Sequence, residues 1–131
     1  MIVPVVLADP HPVARAALTS LLAEQGGVKV VPMADLDHAL REVARRRAPI
    51  LVVSRRLLQR GPAGIRLPAP LPADTQTVVI GLEDDPVFAL DARRAGAAAY
   101  VVKDRADREL RAQVDALLEE RELTTTWRLS A

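Results

Sequence analysis

Ile50-Leu51-Val52-Val53-Ser54-Arg55-Arg56 opens with four consecutive apolar residues, three of them β-branched, and closes on a hydroxyl and two guanidiniums. Pro49 precedes it. The run is too short for a helix, and apolarity without alternation marks a strand covered on both faces, as in a parallel sheet. In an open α/β sheet the ligand crevice lies outside the carboxyl ends of the strands. Ser54, Arg55 and Arg56 are therefore what this strand delivers to a site.

Upstream, Ile2 to Ala8 (IVPVVLA) reads as a first strand closed by Asp9-Pro10-His11-Pro12. Pro4 cannot donate to a ladder and belongs near the strand's start or at a bulge. Val13, Ala17, Leu18, Leu21 and Leu22 then recur at helical spacing until Gly26-Gly27 supplies a stop. Val28 to Val31 makes a short second strand. Asp35 is placed to cap a helix whose apolar face is Leu36, Leu40, Val43 and Ala44. Arg45, Arg46 and Arg47 close that helix, where cations suit the dipole.

Downstream, Gly61 to Asp74 (GPAGIRLPAPLPAD) carries four prolines and two glycines, which leaves room for no more than one helical turn at Leu57 to Arg60. Thr77 to Gly81 is a fourth strand. Asp85 as cap, Pro86 as first helical residue and Gly96 as stop frame a helix over about 86–95. Ala99 to Val102 is a fifth strand, and Asp104 is placed to cap a final helix striped by Ala106, Leu110, Val114, Leu117 and Leu118. Residues 1–123 form the domain, and Thr124 to Ala131 reads as a tail or the start of a linker. Five βα units, the third with its helix shortened or lost, predict an α/β fold: a flavodoxin-like, doubly wound parallel sheet with strand order 2-1-3-4-5.

Composition narrows the function. A chain of 131 residues suits one domain with a genuine core. Eighteen basic against seventeen acidic residues give no global field that would steer it to nucleic acid or an anionic membrane. Without cysteine there is neither a disulfide framework nor a thiolate metal site. Met-Ile-Val-Pro begins no signal peptide and no transmembrane span, so a soluble, cytoplasmic domain is expected. No glycine-rich phosphate loop follows the first strand, which removes the usual cradle for nucleotide cofactors. His11 and His38 fall on different segments, the former reading as a cap-region residue, and Asp84-Asp85 is explained by a helix N-terminus. No acid, base and nucleophile converge, so no enzyme is expected.

Asp9, Ser54, Gly81 and Lys103 stand at four strand ends. Around them VVLADPHPVARAALTSLLAE and RRAGAAAYVVKD resemble the receiver domain of two-component response regulators. The Asp-x-His-Pro and Ala-Gly-Ala-Ala-x-Tyr wording points to the NarL/FixJ group, over roughly residues 2–120. In that family two adjacent acidic residues and an aspartate after the third strand hold Mg²⁺. The aspartate is phosphorylated, and a Ser or Thr and a Lys contact the phosphoryl group. The resemblance places Asp9 as the first acidic residue, Pro10 where the second belongs, Ser54 at the phosphoacceptor, Gly81 at the hydroxyl switch, Lys103 at the lysine and Tyr100 at the switch aromatic.

A hard divalent cation wants several oxygen ligands, and here one carboxylate of three remains, so Mg²⁺ is not expected to bind. Ser54 cannot form an acyl phosphate, and a hydroxyl without metal or base is a poor nucleophile. The residues therefore make a vestigial phosphorylation pocket, in which Lys103 is expected to pair with Asp9. Arg55 and Arg56 read as solvated loop charges, and Tyr100 as half-buried packing. The resemblance implies an atypical, phosphorylation-independent regulatory domain that acts through homodimerisation. DNA would be reached only through a carboxyl-terminal helix-turn-helix domain that does not lie within these residues. A piece of a longer transcriptional regulator is expected, a single-domain protein being the other reading. The rival function is sensing of a small molecule such as a pathway end product, with Gly61 to Asp74 as a shapeable wall.

Overall fold

A computed structural model describes residues 2–24 and 26–130, the side chains of 124–130 excepted. Five parallel strands form one sheet: β1 Val3–Ala8, β2 Val28–Met33, β3 Ile50–Ser54, β6 Gln76–Gly81 and β7 Ala99–Val102. Their order is β2-β1-β3-β6-β7, the flavodoxin-like arrangement expected. The helices are α1 Pro12–Ala23, α2 Leu36–Arg46, α3 Pro86–Arg94 and α4 Ala106–Ser130.

Alternating side chains divide the core into two layers. Val5, Leu7, Ile50, Val52, Val78, Ile80, Ala99 and Val101 pack against Leu18 and Leu22 of α1 and Leu110 and Val114 of α4. Val6, Ala8, Leu51, Val53 and Val79 pack on the other side against Ala39 and Val43 of α2 and Phe88 and Ala92 of α3. All five residues of β3 are buried, as a strand covered on both faces requires. Pro4 pairs only with Lys29 of β2, while the ladder with β3 starts at Val5, so its missing N–H falls outside that ladder.

The helix starts follow local chemistry. Asp35 accepts from the His38 N–H at 2.9 Å and Asp85 from the Phe88 N–H at 3.0 Å, each satisfying an orphan donor of the first turn. His11 does the same for Ala14 at 3.3 Å through its ring Nδ1. Gly96, with φ of 112°, follows α3 in a backbone region that favours glycine.

The segment between β3 and β6 replaces a helix with a 3₁₀ turn, Arg55–Leu57, and an antiparallel hairpin of β4 Gln59–Gly61 and β5 Gly64–Arg66. Gly61 pairs with Gly64 across Pro62-Ala63, and Gly64 has φ of 109°. Ile65 of β5, with Leu57, Leu58, Leu67 and Leu71, covers the α2/α3 layer that the missing helix would cover.

One expectation at the carboxyl end is corrected. Asp104 lies inside a 3₁₀ turn, Lys103–Arg105, that leads into α4. The backbone of residues 124–130 continues α4, whose span contains neither proline nor glycine to stop it. No helix of the described residues is long and apolar enough to cross a membrane.

Leu110 is 0% exposed and Leu123 on the same helix 70%. Leu110→Ala should cost about 2–5 kcal/mol in chemical denaturation, and Leu123→Ala should stay within about 0.5 kcal/mol of the parent.

Candidate functional site

The carboxyl ends of β1, β3, β6 and β7 bring Asp9, Ser54, Gly81 and Lys103 to one edge of the sheet. Asp9 is fully buried, and its carboxylate is met from two sides: Oδ1 accepts the His11 N–H at 2.9 Å, and Oδ2 lies 2.9 Å from Lys103 Nζ. The ammonium approaches Oδ2 off the hydrogen-bonding direction, so this contact is an ion pair without a directed hydrogen bond. Lys103 is itself only 14% exposed, which places the pair in surroundings where loss of either charge strands the other. Arg15 of α1 donates to the Asp9 carbonyl at 2.9 Å and ties the loop to the helix.

Ser54 is buried and its Oγ accepts the Arg56 N–H at 3.3 Å, so the hydroxyl caps the 3₁₀ turn after β3. Beside it opens a cleft of about 330 Å³, lined by Ser54, Arg55, Arg56, Gly81, Leu82, Glu83 and Lys103. Gly61 to Asp74, expected as a ligand wall, contributes nothing to this lining, because the hairpin packs on the α2/α3 layer.

Arg55 is engaged, contrary to its reading as a solvated charge. Its guanidinium lies 3.8 Å from the centroid of the Phe88 ring and 3.2 Å from Asp85 Oδ2. Burial works against that charge, but the Tyr100 hydroxyl and the Asp85 carboxylate outweigh it and hold Arg55 above its ordinary value. Asp85 is held below the usual carboxylate value, first by the Phe88 N–H it caps and then by Arg55. Its contribution to stability is therefore full above the ordinary aspartate value of 3.8 and is lost as pH falls through the depressed one.

Tyr100 donates to the Glu83 carbonyl at 2.8 Å, and its ring lies 5.2 Å from that of Phe88. Asp84 pairs with Arg105 at 3.4 Å across the β6–α3 and β7–α4 connections. Phe88, Glu83 and the engagement of Arg55 escape a reading of the sequence. Their one signal is that Phe88 is one of only three aromatic residues and directly follows the Asp85 cap by one turn.

A five-stranded parallel sheet of this order recurs in solved signal receiver domains. The fold is that of a response regulator receiver domain. The signal receiver domain of the NarL response regulator from Mycobacterium tuberculosis is similar with a TM-score of 0.70 and 24% identity, over 88% of this chain and 96% of that one. A response regulator receiver domain protein from Clostridium thermocellum reaches 0.73 at 12% identity, over 94% and 99%. The RcsB response regulator of Salmonella typhimurium reaches 0.72 at 16% identity, where 91% of this chain covers 61% of that one. No protein-family profile and no curated protein sequence matches the chain.

The Mg²⁺ that the receiver family holds does not fit the residues present. Asp9 already faces an ammonium, Pro10 and Ser54 offer no carboxylate, and no group of three or more metal-ligating side chains occurs among the described residues.

Removing one charge of the Asp9–Lys103 pair leaves the other buried. Lys103→Met should destabilise the domain by about 3–5 kcal/mol near neutral pH, and Asp9→Asn with Lys103→Met should recover most of that loss, both read by urea denaturation.

Proposed function

We propose that the chain is a phosphorylation-independent regulatory domain of receiver fold, from an atypical response regulator that controls transcription and acts through homodimerisation. The observation that carries this reading is the direct pairing of Lys103 with the buried Asp9. In the receiver family those positions serve a metal and a phosphoryl group; here each satisfies the other. Ser54 spends its hydroxyl on the turn that follows β3, and Gly81 has none to offer. With no phosphoryl group to bias a two-state equilibrium, the state of the domain is set by its sequence or by a partner. A DNA-binding domain in the same protein would carry the output to a promoter, in the cytoplasm.

Addition of Mg²⁺ with beryllofluoride or acetyl phosphate should leave the amide spectrum and the intact mass unchanged. A saturable spectral change or a phosphoryl mass increment would overturn the reading. Sedimentation should show a dimer whose affinity does not respond to the phosphodonor, and a monomer at high concentration would remove the proposed output.

The cleft beside Ser54 favours a second reading, in which the domain senses a small molecule. Its volume suits a compact ligand; Lys103 and Arg55 border it already paired with Asp9 and Asp85, so Arg56 is the lining cation that would meet an anionic group, with Glu83 opposing it. A ligand that binds only the folded chain raises its melting temperature with concentration. A rise with one member of a panel of small carboxylates and phosphates, lost in Arg56→Ala, would support this reading, and a flat panel would count against it.

A further inference from the structure

The cleft at the ends of β3 and β6 is bordered by charges of both signs, and they differ in whether they are engaged. Lys103 faces Asp9 and Arg55 faces Asp85, so two of the three lining cations are balanced by carboxylates outside the lining. Arg56 and Glu83 are the remaining charges, and neither side chain has an ion pair or hydrogen bond among the described residues. With those two carboxylates included the lining is neutral, yet it holds one unmet guanidinium and one unmet carboxylate.

Both free charges are carried on backbone that is held in place. The Arg56 N–H donates to Ser54 Oγ at 3.3 Å in the turn after β3, and the Glu83 carbonyl accepts from the Tyr100 hydroxyl at 2.8 Å in the loop after β6. Leu82, 61% exposed, adds an apolar side chain to the same lining. A simple anion would meet Arg56 but bring its charge beside Glu83, and a simple cation would do the reverse. A ligand that carries both charges answers each and adds no net charge to a balanced site.

We propose that the cleft binds a zwitterion, an α-amino acid with an apolar side chain: its carboxylate on Arg56, its ammonium on Glu83 and its side chain against Leu82. The proposal rests on the small-molecule-sensing reading and names the class of ligand for that site. A guanidinium takes a carboxylate through two parallel N–H donors, which fixes orientation as well as charge. The volume of about 330 Å³ stands at the small end of ligand pockets, which run from roughly 300 to 1,000 Å³.

Thermal melts of the full chain are the test, with L-alanine, L-valine, L-leucine, L-methionine and L-phenylalanine, and with the matching acids and amines that keep each side chain but lack one charge. At least one amino acid should raise the melting temperature saturably. Its acid and its amine should each bind the parent at least about tenfold more weakly, the loss of one charge-assisted contact. Glu83→Gln should weaken the amino acid by about tenfold without weakening the acid, and Arg56→Gln should weaken it similarly without weakening the amine. An acid that binds the parent as tightly as its amino acid, or a response only to simple carboxylates and phosphates, overturns the zwitterion and leaves the sensing reading standing. Amino-acid binding that survives both substitutions also overturns it, by placing the ligand elsewhere. No response to any of these compounds removes both.

Discussion

A carboxylate taken wholly out of water must be met by charge or by hydrogen-bond donors, and Asp9 at the end of β1 is such a carboxylate. Lys103 reaches it from the end of β7, two strands beyond β1's neighbour β3 in the sheet. The pair therefore spans the strand-end edge and draws its outer loops together. Ser54 and Gly81, from the strands between, lie under that span. The contact is a constraint on the site more than a source of net stability, since burying two charges costs much of what their attraction returns.

A second cluster sits beside the first and works by shape. Tyr100 belongs to the side of the sheet that packs on α2 and α3, so its ring reaches Phe88 and, at the strand end, the bare Cα of Gly81. Arg55 joins the cluster through both the face of Phe88 and the carboxylate that caps α3. Charge pairing on the Lys103 side and ring packing on the Tyr100 side fix the same loops from different directions. The two constraints agree, which is what a unique arrangement of an irregular region requires.

The elements legible in the sequence are those set by local chemistry. The buried run at 50–54, the Asp35 and Asp85 caps, Pro86 at the start of α3 and the glycine after it needed no knowledge of distant residues. The prolines of 61–74 excluded a helix correctly, but the two strands that took its place are three residues each, too short to display alternation. The engagement of Arg55 is not legible in the sequence, because its partners Asp85 and Phe88 come from another segment of the chain and nothing in a one-dimensional pattern brings them together. At Gly81 the sequence shows only a missing hydroxyl; the Tyr100 ring beside it becomes visible only once β6 and β7 are paired.

The hairpin that stands in for a helix alters the outer surface as well as the core. A helix satisfies its own backbone, whereas a two-stranded ribbon leaves a row of amide groups along each outer side, open to strand addition by another chain. Here the ribbon is three residues long on each side and carries Arg60 and Arg66 as a cross-ladder's near neighbours, Arg60 facing Ile65 and Arg66 facing Gln59. Short length and positive charge are the features by which natural proteins discourage unwanted sheet extension. The substitution thus removes a helix without leaving the surface prone to self-templated aggregation.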